Sequence, residues 1–421
     1  MVVGIQALPI ELIQQIATNL TAIDDLNNFS RTCRTFHSAI QPQFVYRELF
    51  LSTYDRPNNE NYNYKHNYRW RKIVLEKFLR SNHYRVENLT QNQVKIKVVE
   101  DVPLTIEILE GVRELIFEAT SKNFAQLESF ASKSRNLLIS SGLKAPRTQY
   151  FMLVQILLTN IALTKRIVWA DTSEYCSAYT QALAYGEADR KLFANDYADE
   201  DDIIQIWATA NLFLLHLGNR IPGSESLGLK LTFDGICGEG RGAPDLWKNN
   251  LWVDVEPEFP RYWFGFYVYL DPPDLQVLHT FRPNGEVRLQ EDHYDGKLTM
   301  MEFLAKTPTT FVGTGTDADE PFTIQGSIKP LPTFYSIFKF RRVSFTTNYS
   351  AGDGWSYEGC LLPNSQTILG SWSTSDEDIA DPMPPRGPFI MWAVGKEYWE
   401  YEKALRDDEG RVGEEDDFLN F

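Results

Sequence analysis

The sequence predicts an α+β multidomain chain: a three-helix N-terminal unit, a helical middle region and a C-terminal antiparallel β-barrel. Three observations carry that expectation. Apolar residues recur three and four positions apart through residues 8–36, and helical periodicity returns through 121–220. After Pro222, glycine, proline and aromatic residues rise, and short alternating runs bounded by turn residues replace the helical pattern. The division that follows is 1–50, a linker helix and mixed segment over 51–120, a helical domain over 121–222, a barrel over 223–396 and an acidic tail over 397–421.

In the first unit, Pro9 stands where a helix can open, because its missing N–H costs nothing in the first turn. Leu12, Ile13, Ile16 and Leu20 follow at helical spacing and make one apolar stripe. Asp24 or Asp25 can cap a second helix, in which Leu26, Phe29, Cys33 and Phe36 again fall three and four apart. Roughly forty residues in three short helices bury too little surface to stand alone, so the unit is expected to lean on something else.

The same stretch resembles an F-box. Leu8, Pro9, Glu11, Leu12 and Ile13 match the opening of that family's pattern, Asp25-Leu26 its middle and Cys33-Arg34-x-Phe36 its close. Tyr46-Arg47 falls where many members carry Trp-Arg, and Ala17 replaces a usual bulky aliphatic. The resemblance implies a surface formed from Leu8, Pro9, Leu12, Ile13, Ile16, Leu20, Leu26, Phe29, Cys33 and Phe36 that docks a Skp adaptor and, through it, a cullin. It also implies the role of a non-catalytic substrate receptor in a ubiquitin ligase complex, serving protein ubiquitination and proteasomal degradation.

The net charge of -16 and pI near 4.9 argue against nucleic acid or an anionic membrane as partner, because binding phosphates requires counter-charge. Cys33, Cys176, Cys237 and Cys360 lack metal-ligand spacing and do not make a disulfide framework in so long a chain. Glu11 interrupts the first apolar stretch, and the longest apolar run, 150–163, carries Gln155, Thr159 and Asn160 and is short for a membrane span. These features predict a cytoplasmic or nuclear protein.

Catalytic signatures are sparse. The histidines form no ligand-spaced pair, although His279 and His293 flank an expected hairpin. Gly238-Glu239-Gly240-Arg241-Gly242 lacks the following Lys-Ser/Thr of a phosphate loop, and no G-x-S-x-G elbow is present. No cofactor or metal is expected.

Along the rest of the chain, residues 52–64 read as a loop and 68–79 as a helix. The alternation in 94–117 reads as strand or mixed structure. Helices are expected from Ser121 through Leu138, over 150–167, where the segment is apolar nearly all round, and over 202–217. Asp199 to Asp202 suit the positive end of the last of these and read as a solvated cap. Strands are expected over 262–270, 276–281 and 286–289 joined by Asn284-Gly285, then 309–313, 322–328, 334–340, 343–347, 354–362, 367–372 and 389–394. Eight to ten strands at this spacing call for closure, because an open sheet leaves edges.

Gly354-Trp355-Ser356-Tyr357-Glu358-Gly359-Cys360-Leu361-Leu362-Pro363, Ile368-Leu369-Gly370-Ser371-Trp372 and Gly387-Pro388-Phe389-Ile390-Met391-Trp392 together look like the C-terminal module of many fungal F-box proteins. That module is similar to the lipocalin-like barrel with which certain animal F-box proteins bind substrate. On this basis the barrel is expected to hold a protein substrate. Trp355, Tyr357 and Trp372 stand at strand ends near one rim, and Arg341 and Arg386, with Lys339 and Arg342, are the conspicuous cations of an acidic domain, able to bind a carboxylate or phosphate. The alternative is a lipocalin-like barrel holding a small apolar ligand. The acidic 397–421 segment reads as a solvated tail after a short helical start.

Overall fold

A computed structural model describes residues 8–20, 22–57, 61–80, 84–90, 93–98, 105–118, 122–123, 126–127, 146–164, 183–186, 191–217, 258–269, 293–294, 299–317, 320–333, 339–350, 354–363, 365–374 and 385–405. The chain forms two compact units, Met1–His83 with Val98–Lys133, and Tyr84–Lys97 with Ser134–Phe421. The hairpin 276–289, the helix through Leu138 and the acidic tail beyond 405 lie outside the described residues.

The first unit is helical: α1 (Ile10–Thr18), α2 (Ile23–Thr32), α3 (Arg34–Ala39), α4 (Gln43–Thr53), α5 (Tyr64–Arg80) and α6 (Ile106–Phe117). Ile13, Phe36 and Ala39 form the core between α1 and α3, with Leu8, Phe29 and Cys33 packed against it. The Phe29 and Phe36 rings stack at 4.4 Å. Helix α6 corrects the expectation of strand across 94–117. Only Gln93–Val98 is a strand, whereas Ile108, Leu109, Val112, Leu115 and Ile116 are buried on one helical face. The Thr105 side chain caps this helix by accepting from the Ile108 N–H at 3.4 Å, and Gly111 lets α6 approach Trp70 and Val74 of α5. The repeated Ile and Leu of this stretch satisfy a period of two over a few residues, but across three turns they satisfy 3.6 better.

Charge knits the later part of this unit. Arg71, 1% exposed, lies 5.0 Å from the centroid of the Phe50 ring, also faces Tyr54, and donates to Glu118 Oε2 at 2.6 Å. Asp55 accepts the backbone N–H groups of Lys122 and Asn123, each at 3.0 Å, while Asn123 Oδ1 accepts the N–H of Asp55. Tyr68 is pushed up to about 12, chiefly by burial, so its hydroxyl stays protonated in this apolar setting.

Strands β1 (Tyr84–Thr90) and β2 (Gln93–Val98) form a two-stranded sheet. The second unit has helices α7 (Pro146–Thr164) and α8 (Glu200–Leu217), which pack together, and α8 lies against the barrel wall. Helix α7 is buried all round over 149–159, as its sequence predicts. Gln155 Oε1 accepts from Trp207 Nε1 at 2.7 Å, which satisfies two polar groups inside this apolar layer. Asp202 is a correction to the solvated cap: it is 2% exposed and accepts the N–H groups of Phe193 and Asp199. The acidic cluster therefore contains one carboxylate that terminates backbone donors within the core.

The barrel comprises β3 (Tyr262–Tyr269), β5 (Thr299–Thr307), β6 (Thr310–Asp317), β7 (Glu320–Pro330), β8 (Arg341–Tyr349), β9 (Gly354–Leu361), β10 (Thr367–Thr374) and β11 (Arg386–Ala393), with β4 (His293–Tyr294) paired to β3. Neighbours are antiparallel, and β11 pairs back to β3 through Phe389 with Tyr267 and Trp392 with Phe264, closing eight strands. The expected strand over 334–340 is not borne out at its described end, since Lys339 and Phe340 precede β8 and Lys339 has a positive φ of 49°. The sequence reading also missed β5, because Thr299-Met300-Met301-Glu302-Phe303 lacks simple alternation. No described helix is long and apolar enough to cross a membrane.

Inside the barrel, Trp263, Phe303, Phe311, Phe322, Phe345, Tyr357, Trp372 and Phe389 share one core. Phe345 and Tyr357 are cross-strand partners with rings stacked at 4.5 Å. Eight strands enclose only enough room for side chains, so this many rings require small residues beside them. A Cβ on Gly326 would lie 2.4 Å from Phe311 and 2.6 Å from Phe345; on Gly387 it would lie 1.7 Å from the Val268 carbonyl oxygen. Gly387 permits Trp372 to cross β11 and donate from Nε1 to Val268 O at 3.1 Å.

Two outcomes follow. Gly326→Val should lower stability by about 3 kcal/mol through overpacking, while Gly395→Ala should change it by less than about 0.5 kcal/mol; nothing lies within 4 Å of a Cβ at Gly395. Denaturant melts check this, and equal midpoints would refute the packing argument. In the helical unit, Arg71→Leu should cost about 3 kcal/mol by leaving the half-buried Glu118 without its partner, and the double variant Arg71→Leu/Glu118→Leu should recover part of the loss. A single variant that melts like the parent would contradict it.

Candidate functional site

Two places carry the residues singled out from the sequence. The first is α1. Pro9 precedes its first turn and accepts the N–H groups of Leu12 and Ile13 at its carbonyl, while Glu11 supplies a negative charge at the positive end. One face, with Ile13 and Ala17, is fully buried. Away from that face Leu12 and Ile16, one turn apart, are 45% and 37% exposed, and Ile10 in the first turn is 45% exposed, a concentration of large aliphatic side chains on one short helix. Phe44 of α4 is also exposed, at 48%.

The ten residues of the expected adaptor surface therefore divide. Pro9, Leu12 and Ile16 are open to solvent; Leu8, Leu20, Phe29 and Cys33 are half-buried; Ile13, Leu26 and Phe36 are core. The last three hold the unit together and shape the surface from beneath. Ile10 and Phe44 were missed by the sequence reading. Both are apolar residues that the stripe Leu12-Ile13-Ile16-Leu20 and its continuation had no need to bury, which was the available signal.

The second place is one end of the barrel. Trp355 on β9 and Trp372 on β10 meet edge to face at 5.0 Å, and Trp372 meets Tyr267 of β3 at 5.5 Å. Tyr357 lies deeper, stacked on Phe345, and burial raises its hydroxyl well above the usual tyrosine range. The two arginines do not join this group. Arg341 opens β8, six residues before Thr347, the partner of Trp355, so it stands roughly 20 Å away along the strand; its guanidinium donates to Ser365 Oγ. Arg386 is buried, and alternation along β11 puts it on the face opposite Gly387 and Phe389.

Arg342 is engaged as well. It donates to Glu358 Oε2 at 2.8 Å, to Asp196 Oδ1 at 2.7 Å and to the Phe193 carbonyl at 3.0 Å, and the Glu358 carboxylate holds its pKa above the ordinary value. The expected cation cluster for an anionic group is thus dispersed, with Arg342 committed to fastening residues 193 and 196 to the barrel wall.

Sequence reasoning overlooked Asp317, Tyr267 and Tyr349 at the aromatic end. Asp317 Oδ2 accepts from Tyr267 Oη at 2.8 Å and from Tyr349 Oη at 3.1 Å. Burial and then the Asp317 charge raise the Tyr349 pKa, keeping this hydroxyl a donor. A carboxylate closing the small-residue strand Thr310–Asp317 was the visible signal. Among the described residues, no group of three or more His, Cys, Asp or Glu side chains could hold a metal ion.

Residues 5–52 match the family described as F-box-like, which covers α1 to α3 and most of α4. No curated protein and no solved structure matches the chain. The chain thus carries an F-box-like domain at its N-terminal end, followed by helices and a closed eight-stranded antiparallel barrel.

Proposed function

We propose that this protein is the substrate-recognition subunit of a Skp, cullin and F-box ubiquitin ligase, docking the Skp adaptor through α1 and a protein substrate through the barrel. The observation that carries the reading is the exposed aliphatic pair Leu12 and Ile16 on α1, with Ile10 exposed in its first turn, inside the F-box-like match. A large aliphatic side chain exposed on one short helix gains free energy by docking, and a cluster of them marks an interface. The chain itself contributes no bond chemistry in this reading. It raises the effective concentration of substrate lysines near an activated ubiquitin held elsewhere in the complex.

The barrel supports a protein substrate better than a small apolar ligand, because its interior is filled by aromatic side chains packed on one another. Recognition then falls to the rim, on a rigid frame. Such a complex acts in the cytoplasm or nucleus, where adaptor and cullin are found.

Leu12→Ala and Ile16→Ala should each weaken capture of purified Skp adaptor by about 2 kcal/mol, roughly thirtyfold, while leaving the melting temperature unchanged. Ile13→Ala should instead lower stability by about 3 kcal/mol, because its side chain is fully buried. Calorimetric titration and thermal melts separate the two effects. A folded Leu12→Ala/Ile16→Ala double variant that still binds adaptor like the parent would remove the reading.

A further inference from the structure

At the aromatic end of the barrel, Trp355, Trp372, Tyr267, Asp317 and Tyr349 follow one another in contact. They come from β9, β10, β3, β6 and β8, so they run around the mouth instead of lying along one strand. Tyr267 and Tyr349 each lie two strands from Asp317, on opposite sides of it, and both aim their hydroxyls at the same carboxylate oxygen. Trp355, Tyr267 and Tyr349 are half-buried, so part of each ring is open to solvent. Asp317 and Trp372, 8% and 5% exposed, form the floor. Thr299, inward on β5 beside Gly265, adds a buried hydroxyl with no hydrogen-bond partner among the described residues.

We propose that this mouth binds a cationic side chain, lysine or arginine, presented by the substrate protein. The inference deepens the receptor reading above and rests on it. Indole and phenol faces carry negative electrostatic potential, and a cation set over them is attracted, more so when partly desolvated. The carboxylate adds direct charge attraction in the same place and repels an anionic or C-terminal carboxylate group. The two tyrosine hydroxyls spend their protons on Asp317, so they offer an incoming group acceptor lone pairs instead of hydrogens. The net charge of -16 draws basic partners toward the chain at long range.

The test uses the full chain and two fluorescent, amidated peptide libraries with identical random flanks. The central residue is lysine or arginine in one, norleucine or glutamate in the other. The cationic library should bind at least about tenfold more tightly, and the preference should shrink when salt is raised from about 50 to about 500 mM. Asp317→Asn, which keeps an acceptor for the tyrosines, should abolish the preference without moving the melting temperature. Trp355→Leu, at a half-buried position, should weaken cationic binding about fivefold and serves if the first variant does not fold. Equal binding of both libraries, no binding by either, or a preference that is undiminished in the folded variants overturns the proposal. Capture of cellular substrates separates this failure from failure of the receptor reading. Substrates captured by the parent and kept in Asp317→Asn would leave the receptor standing and remove the cation site; a parent chain that binds adaptor but captures no substrate would remove the receptor as well.

Discussion

The barrel depends on the packing of aromatic rings against inward-facing glycines. An eight-stranded wall encloses a narrow interior, and Trp263, Phe303, Phe311, Phe345, Tyr357 and Phe389 fill it only because positions such as Gly315, Gly326, Gly359 and Gly370 carry no side chain. The consequence reaches the rim. Gly387 opens the path by which Trp372 crosses a strand and meets Tyr267, whose hydroxyl donates to the Asp317 carboxylate. The arrangement at the mouth is thus linked to packing in the middle.

The helical unit solves a different problem. Its first three helices bury a small core and leave aliphatic side chains outside, an arrangement that is unfavourable in isolation. Stability is supplied behind them by α4, α5 and α6, where Arg71 sits among aromatic rings and binds Glu118, and where Asp55 ends the backbone donors of Lys122 and Asn123. Such an anchored arm can keep an apolar face exposed without giving up its fold. The same division of labour holds in the second unit, where Arg342, Asp196 and Glu358 fasten the segment at residue 193 to the barrel while the opposite strand ends carry the aromatic mouth.

Much of this was legible in the sequence because it is local. Helical spacing in 8–36 specified α1 and α2 but ran the second helix through Cys33, where extended backbone instead separates α2 from α3, and alternation with turn residues placed seven of the barrel strands near their observed positions. What was not legible depends on partners distant in the chain. Whether Ile13 or Leu12 faces inward depends on where Phe36 and Ala39 pack, since both lie on the same apolar stripe. Residues 106–117 resembled a strand until α5 provided a surface for their helical face. Arg341 and Arg386 are close in sequence character but separated by strand register and face, and Asp317 became notable only when Tyr267 and Tyr349, 50 and 32 residues away, closed on it.

In the receptor reading proposed above, α1 is a docking helix whose exposed residues are covered by an adaptor. Hydrogen exchange of the full chain, measured with and without purified Skp adaptor, tests it most directly, because local opening of a short surface helix slows when its apolar face is covered. Slowed exchange is expected across residues 10–20 in the complex, with the barrel strands unchanged. Formation of a complex that leaves α1 exchange as it was, with slowing confined to the barrel, would contradict it.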